Sequence, residues 1–138
     1  MSSGVFDNTI GTLSQSMDLR LMKQNVVSSN IANADTPGFK SKEIDFEQEL
    51  REALGETDEL ALAGEDARHI VPREGQPIEP EIYDDPNGVE SLDGNTVDRA
   101  AEMAKLAENQ ILYSSSVEAM KKKIGMARYA ITEGGGNR

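Results

Sequence analysis

The sequence contains no cysteine, no tryptophan and only one histidine, His69. Without cysteine the chain has no disulfide bond, no thiolate nucleophile and no cysteine-based zinc site, and one histidine does not supply a histidine-rich metal site. The chain also carries no recognisable catalytic motif. We therefore expect a protein that is not an enzyme, with no metal, no cofactor and no small-molecule substrate.

Large apolar side chains are scarce as well. Hydrophobic residues make up 37% of the 138 positions and aromatic residues 4%, so we expect partners to complete the core. No apolar run approaches the roughly 20 residues that a membrane-spanning helix needs. The N-terminus also lacks the basic flank and apolar stretch of a secretory signal, so an exported protein of this sequence needs another route.

The net charge of -11 is concentrated in the middle of the chain. Residues 1–40 have no net charge, residues 41–95 hold 17 acidic residues against four basic ones, and residues 96–138 carry a net charge of +2. Four of the five prolines also lie in the middle segment. Because a phosphate backbone requires clustered Lys and Arg, we expect no nucleic acid partner for this acidic, turn-rich segment.

The N-terminal segment has the periodicity of a long helix. Apolar residues recur every three or four positions, and a second stripe lies beside the first. The first stripe consists of Phe6, Ile10, Leu13, Met17 and Leu21, and the second of Leu19, Met22 and Val26. Together they form a face wider than one partner helix usually covers.

The C-terminal segment predicts a second long helix, from about residue 96 to 132, with Asn95 or Thr96 as its N-terminal cap. Its apolar positions fall into two runs separated by a slip in the rhythm at Ser114. The runs are Ala100, Ala104, Ala107 and Ile111, and then Val117, Met120, Ile124, Ala127 and Ile131. A simple antiparallel hairpin of the two helices and an assembly in which each pair meets several neighbours both fit this pattern; the width of the apolar faces favours the assembly.

Between the first helix and the acidic middle lies the stretch SSNIANADTPGFKSKEIDF, residues 28–46. A helix cannot continue through Thr36, because the following proline restricts its backbone to extended geometry. Pro37 and Gly38 fit the two central positions of a type II turn, in which Gly38 takes a positive φ. Polar side chains at Asn30, Asn33, Asp35 and Thr36 are suited to bond the backbone groups that the helix end releases. From these residues alone, a helix stop with a surface turn is a sufficient interpretation.

Two stretches resemble the bacterial flagellar rod and hook proteins. The N-terminal one is SNIANADTPGFKSKEIDFEQEL, an Asn-rich helix end followed by Thr-Pro-Gly and an aromatic, here Phe39, where many relatives carry Tyr. The C-terminal one is DGNTVDRAAEMAKLAENQILYSSSVEAMKKKI. The resemblance covers about residues 6–54 and 92–131, and the short acidic middle is similar to that of a proximal rod member rather than to the longer distal rod and hook proteins.

The resemblance implies a structural subunit of the flagellar basal-body rod, a tube that transmits torque and leaves a central export channel. The implied partners are other copies of this chain, other rod proteins, the adaptor between the rod and the membrane ring, the MS ring itself and the flagellar type III export apparatus. The implied location is the periplasmic rod, reached without a cleaved signal peptide. Phe6 and Ile10 match the export motif of early substrates, although any amphipathic helix places apolar residues four apart.

The predicted fold is mainly α, with a coiled-coil-like pair of N- and C-terminal helices around an irregular acidic insert that holds short β segments near HIVP and PEIY. The predicted division is an assembly helix at 1–35, the turn motif and insert at 36–94, a second assembly helix at 95–133 and a flexible tail at 134–138. The predicted assembly faces consist of Leu13, Met17, Leu21, Ala104, Ala107, Ile111, Val117, Met120 and Ile124. A cytoplasmic helical adaptor or export chaperone is the alternative function.

Two acidic motifs have simple structural interpretations. In EIDFEQEL the alternation of Asp45, Glu47 and Glu49 predicts a solvated strand face, since nothing nearby supplies a pocket for acid-base chemistry. YDDPNG, at 83–88, lacks the spaced ligands of a calcium loop and predicts a turn.

Overall fold

The computed structural model describes residues 4–53 and 80–134, with side chains described at 9–51 and 80–133. Three sequence predictions lie outside the described residues: the strand near HIVP, the position of His69 and residues 135–138 of the tail. The tail was predicted to begin at residue 134, but Gly134 is helical. Two long helices dominate the structure: α1 spans Gly4–Ala32 and α3 spans Arg99–Gly134. Between them the described residues form a short helix and two very short strands, so the prediction of a mainly α fold with a pair of long terminal helices is confirmed.

The two long helices pack side by side in antiparallel directions. The Asn30 side chain hydrogen-bonds that of Glu102, and the Asn109 side chain donates to the Arg20 carbonyl. Residue numbers therefore increase along α1 in the direction in which they decrease along α3. Half-buried residues of α3 recur at helical spacing on the side that faces α1: Leu106, Tyr113, Val117 and Met120. In the described part of the chain, the fully buried apolar residues are Leu19, Val27 and Ile44. Within the described residues the apolar core is therefore small, and polar contacts hold much of the helix pair in register.

The first part of the acidic middle folds against α1. Strand β1 (Lys42–Glu43) pairs in antiparallel register with β2 (Tyr83–Asp84), so that Lys42 is opposite Asp84 and Glu43 is opposite Tyr83. The short strand predicted near PEIY is thus present. The YDDPNG segment turns as predicted, with the Gly88 amide donating to the Asp85 carbonyl at 3.2 Å.

The solvated strand predicted for EIDFEQEL is wrong, because α2 occupies Phe46–Ala53. Asp45 caps this helix, its Oδ1 accepting from the amides of Glu47 at 3.1 Å and Gln48 at 3.0 Å. Glu49 is buried, and its Oε1 accepts from the Glu81 amide at 2.7 Å. The three acids therefore have different roles. Asp45 caps α2, Glu47 is exposed, and Glu49 connects α2 to the segment before β2.

The predicted start of the second long helix is also corrected. The helix begins at Arg99, and its cap is Asp98, whose Oδ1 accepts from the amides of Ala100 at 2.9 Å and Ala101 at 3.1 Å. Asn95 and Thr96 lie before this cap and are used elsewhere in the structure. No helix within residues 4–53 and 80–134 has the length and hydropathy that crossing a bilayer requires.

Candidate functional site

The turn that follows α1 has the predicted geometry. The Phe39 amide donates to the Thr36 carbonyl at 3.2 Å, which places Pro37 and Gly38 at the two central positions of the turn. Gly38 has φ 71°, a value that residues with a Cβ rarely adopt. The positive φ predicted from the sequence is therefore confirmed.

A second turn from the far side of the chain docks against this one. Gly94 has φ 80°, and its amide donates to the Ser91 carbonyl at 2.9 Å. The Gly38 amide donates to the Asp93 carbonyl at 2.9 Å, while the Thr96 amide donates to the Phe39 carbonyl at 3.0 Å. A Cβ on Gly94 would lie 3.5 Å from the Gly38 Cα, so the two positive-φ glycines are in contact. We call these paired turns, residues 36–39 and 91–96, the junction.

Asn95 closes the C-terminal end of α1. Its side chain is buried, and Nδ2 donates to the carbonyls of Asn33 at 3.0 Å, Ala34 at 3.1 Å and Thr36 at 2.8 Å. Its Oδ1 accepts from the Val97 amide at 2.7 Å. Helix ends leave carbonyls without intrahelical partners, and here a residue some 60 positions away supplies the donor. The sequence predicted Asn95 only as a possible N-terminal cap of the second long helix, because no sequence signal connects Asn95 to the end of α1.

Asn30 connects α1, β1 and α3 from a fully buried position. Nδ2 donates to the Lys42 carbonyl and to Glu102 Oε2, both at 2.8 Å, and Oδ1 accepts from the Lys42 amide at 2.9 Å. The prediction that Asn30 bonds released groups at the helix end is therefore wrong. The side chain instead hydrogen-bonds both backbone groups of Lys42, as a neighbouring strand would, and binds Glu102 of α3.

The other polar residues of the turn motif divide between local and distant contacts. Asn33 acts locally as predicted, since Nδ2 donates to the Ser29 carbonyl at 2.9 Å and Oδ1 accepts from Thr36 Oγ1 at 3.2 Å. The carboxylate of Asp35 does not bond the helix end; it accepts from Arg99 Nη2 at 2.5 Å. That ion pair is exposed, so its net contribution is at most about 1 kcal/mol.

Lys105 is the charged centre beside the junction. Its Nζ lies 2.9 Å from Glu102 Oε1, 3.6 Å from Asp85 Oδ2 and 3.7 Å from Glu43 Oε1. Partial burial alone would lower the pKa of Lys105, but the hydrogen bond and charge of Glu102, with the charges of Glu43 and Asp85, outweigh it and raise the pKa above its usual value. Glu102 thus joins Asn30 to Lys105, and one polar network spans α1, both strands and α3.

The predicted assembly faces occupy two different environments. Leu13, Met17, Val117 and Met120 are half-buried, Val117 and Met120 on the side of α3 that faces α1. Others are exposed: Leu21, Ala104, Ala107, Ile111 and Ile124. Of the proposed export residues, Ile10 is half-buried, and Phe6 lies in α1 with its side chain outside the described part.

The described residues contain no group of three His, Cys, Asp or Glu side chains arranged to hold a metal ion. The role of these residues is structural. The junction fixes the angle at which the chain leaves α1, and buried amide side chains connect α1 to α3 by hydrogen bonds. Such a site fixes the arrangement of α1, α3 and the chain between them.

Most of α1 and the turn that follows it also match a protein family. Residues 12–40 match the model of a family described as flagella basal body rod protein. Three relatives named flagellar basal body rod protein FlgB are similar over most of their length. The relative from Proteus mirabilis is 33% identical over 93% of this chain and 96% of its own, and that from Aeromonas hydrophila is 37% identical over 86% and 89%. The relative from Escherichia coli K12 is 35% identical over 80% of this chain and 83% of its own.

The matched residues of the family model include the first turn of the junction, residues 36–39, so the part of the sequence that identifies the family also sets the exit angle of the chain from α1. Identity of 33 to 37% extends over at least 80% of this chain, well beyond that motif. The chain belongs to the FlgB family of flagellar basal body rod proteins and is a structural subunit of the rod.

Proposed function

We propose that this rod subunit assembles through its two long helices into the proximal rod, where α1 and α3 form the wall of a tube that transmits torque around a central export channel. The observation that supports this most directly is the outer face of α3. Ala104, Ala107 and Ile111 follow one another at helical spacing on the side away from α1, and Ile111 is 67% exposed. Small side chains allow close helix approach, and an exposed apolar row is favourable only when another surface covers it.

The small apolar core among the described residues supports the same proposal. In that part of the chain the buried apolar residues are Leu19, Val27 and Ile44, which is little for helices of 29 and 36 residues, whereas burial in an assembly adds about 25 cal/mol for each Å² of apolar surface covered. We infer that neighbours supply most of the apolar contact of α3. The candidate neighbours are other copies of this chain, other rod proteins, the adaptor to the membrane ring and the MS ring.

The location follows from the same proposal. A rod subunit works in the periplasm, and in this proposal the flagellar type III apparatus exports the chain without cleaving a signal. The junction then serves to turn the chain out of α1 at a fixed angle, so that β1 and α2 fold back against the helix pair.

Isolation of basal bodies tests the proposal. We expect the tagged chain to copurify with basal bodies after salt and detergent washes, and an Ala107→Arg variant to be absent from them although the cells still produce it. Gln110→Arg changes an exposed position about 100° around α3 from Ile111, outside this row, and is the matched control. Loss of the wild-type chain on washing, with recovery in the cytoplasm as a discrete dimer, would indicate an adaptor or export chaperone instead.

A further inference from the structure

Three consecutive serines, Ser114, Ser115 and Ser116, lie near the middle of α3, and we call them the serine triplet. Each hydroxyl donates to the backbone carbonyl four positions earlier: Ser114 to Gln110 at 2.9 Å, Ser115 to Ile111 at 2.9 Å and Ser116 to Leu112 at 3.0 Å. In an α-helix that carbonyl also accepts the amide of the same serine. Two donors therefore share each of three successive carbonyls, and back-bonding of this kind weakens a helix and often bends it.

The serine triplet weakens α3 on more than one side. Successive residues of an α-helix are about 100° apart, so the three shared carbonyls lie on three different sides of the helix axis. One back-bonding serine perturbs a single side of a helix, whereas three in succession leave no fixed direction in which it bends. This arrangement is typical of a hinge rather than of a permanent kink.

The triplet lies at the level where the packing of the helix pair changes. The Asn30 side chain bonds that of Glu102, and the Asn109 side chain bonds the Arg20 carbonyl. The numbers of facing residues therefore add up to about 130, and the triplet faces about residue 15 of α1. Both of these bonds between the helices lie on the junction side of that level.

Burial divides the helix pair at the same level. We call residues 99–113 the junction half of α3 and residues 117–134 the distal half. Among the side chains that the structure describes, every buried one lies at 19–49 or 95–109, on the side of the junction half. The described side chains of the distal half are half-buried or exposed. Buried contacts therefore anchor the junction half, and the distal half has more freedom to move.

The outward side of α3 also changes its chemistry across the triplet. Before it, Ala104, Ala107 and Ile111 form the exposed apolar row described above. After it, the exposed residues Glu118 and Lys122 lie within about 20° of the line of Ile111 along the helix. The junction half thus presents small apolar groups and the distal half presents charged ones, so the two halves fit different surfaces.

We propose that the serine triplet is a hinge, at which the distal half of α3 changes direction relative to the anchored junction half when the subunit meets its neighbours. The role in assembly rests on the proposed function, whereas the hinge is a property of the single chain. A bend of roughly 20° at Ser115 moves Tyr129, about 21 Å further along the axis, by about 7 Å. This displacement is close to the roughly 8–10 Å between packed helices, so it decides which neighbouring surface the distal half reaches.

Distances between spin labels on the purified full-length chain test the hinge. The native chain has no cysteine, so labels attach only at introduced ones. Glu47 lines a cleft together with Glu108 and Leu112 and so lies beside the junction half, while Tyr129 is 65% exposed in the distal half. The labelled positions are therefore Glu47→Cys and Tyr129→Cys.

Pulsed electron paramagnetic resonance gives the distribution of the distance between the two labels. Replacing all three serines of the triplet with alanine should narrow this distribution by up to about 7 Å, because alanine does not back-bond and is the best helix former. The control pair, Glu47→Cys with Met103→Cys, lies entirely on the junction side of the triplet. Its distribution should be the same with serine and with alanine in the triplet.

A matched pair of variants separates back-bonding from helix propensity. Thr and Val have similar shapes and similar helix propensities, but only Thr has a hydroxyl that can bond the carbonyl four positions earlier. Ser114 and Ser115 are both exposed, so either side chain fits there. Ser114→Thr with Ser115→Thr should keep the broad distribution, and Ser114→Val with Ser115→Val should narrow it.

Isolated basal bodies test the role of the hinge in assembly. We expect the triple alanine variant to be depleted from them, although cells produce the variant and its helix is more stable than that of the wild type. The threonine variant should be present in the wild-type amount.

The outcomes separate the hinge from the proposed function. Equal distance distributions for the serine and alanine chains would overturn the hinge and leave the proposed function standing. A narrowed distribution together with normal amounts of the alanine variant in basal bodies would overturn the role of the hinge in assembly. Absence of the wild-type chain from basal bodies would overturn the proposed function and that role with it, while the measured distances still decide whether the hinge exists.

Discussion

The buried amide of Asn30 donates to the carboxylate of Glu102 across 2.8 Å, and this bond joins the two long helices at positions 72 residues apart in the chain. The same amide side chain pairs with both backbone groups of Lys42. One residue therefore holds α1, β1 and α3 together, and its removal leaves several buried polar groups without partners.

Asn30→Ala should lower the free energy of unfolding by about 3 kcal/mol, because it leaves the Lys42 backbone and Glu102 unsatisfied. Urea unfolding followed by circular dichroism measures the change. Asn25→Ala, at an exposed position on the same helix, is the control and should be neutral or slightly stabilising, since alanine has the higher helix propensity. Equal stability of the two variants would contradict the role assigned to Asn30.

Gly38→Val should lower stability by about 2 kcal/mol, because a β-branched residue is strained at φ 71°. We expect fewer complete basal bodies in electron micrographs, with the exported amount of the chain largely unchanged. Gly11→Ala is the control: it lies in α1 with no atom within 4 Å of the added Cβ, and it should stabilise the helix by up to about 1 kcal/mol. If cells with Gly38→Val contain normal numbers of basal bodies, the geometry of this turn is not required for assembly.

Asn95→Asp keeps the shape of the side chain but removes the donor that serves three carbonyls of the α1 end. We expect a loss of about 3 kcal/mol, because a buried carboxylate then faces carbonyl oxygens. Amide exchange measured by mass spectrometry should increase at residues 31–39 in particular. Asn87→Asp, at an exposed position, should leave exchange in that segment unchanged.

Stability should decrease at alkaline pH as Lys105 loses its proton. The pKa of Lys105 is raised above 10.5 in the folded chain, so its contribution is fully present below pH 10.5 and is lost as the pH rises through the folded pKa. The pKa of Tyr83 is raised above 10.0 by partial burial and by the charges of Glu43, Asp45 and Asp85, and its ionisation acts in the same direction. Melting temperatures measured between pH 9 and about 12 should show the decrease.

Lys105→Arg should weaken this alkaline decrease, since a guanidinium stays charged throughout the range. Lys121→Arg, on the exposed side of α3, should follow the wild-type curve. Identical curves for all three proteins would show that Lys105 does not govern the alkaline transition.

Phe6→Ala combined with Ile10→Ala should reduce export of the chain, if these residues form the signal read by the type III apparatus. The amounts in periplasmic and cytoplasmic fractions give the measurement. Leu13→Ala combined with Met17→Ala has the same spacing about two turns further along α1 and should be exported normally while failing to assemble. Normal export of the first pair would exclude it as the signal.

By itself the sequence determined the features that depend on neighbouring residues. Helical periodicity predicted α1 and α3, the Pro-Gly pair predicted a turn with a positive φ at Gly38, and the motif around this turn identified the family. Each of these follows from local backbone sterics or from spacing along one helix, which the order of residues specifies.

Tertiary structure decided the partners of the polar side chains. Asn30 and Asn95 were recognised as helix-end residues, yet one pairs with a strand and a distant helix, and the other caps a helix some 60 positions away. Asp45 caps a helix and Glu49 lies within it, because the cap and the buried hydrogen bond of Glu49 with the Glu81 amide favour a helix over the predicted strand. An amide side chain has the same donors and acceptors in every context, so its role is fixed only when folding brings a particular backbone group within hydrogen-bond distance.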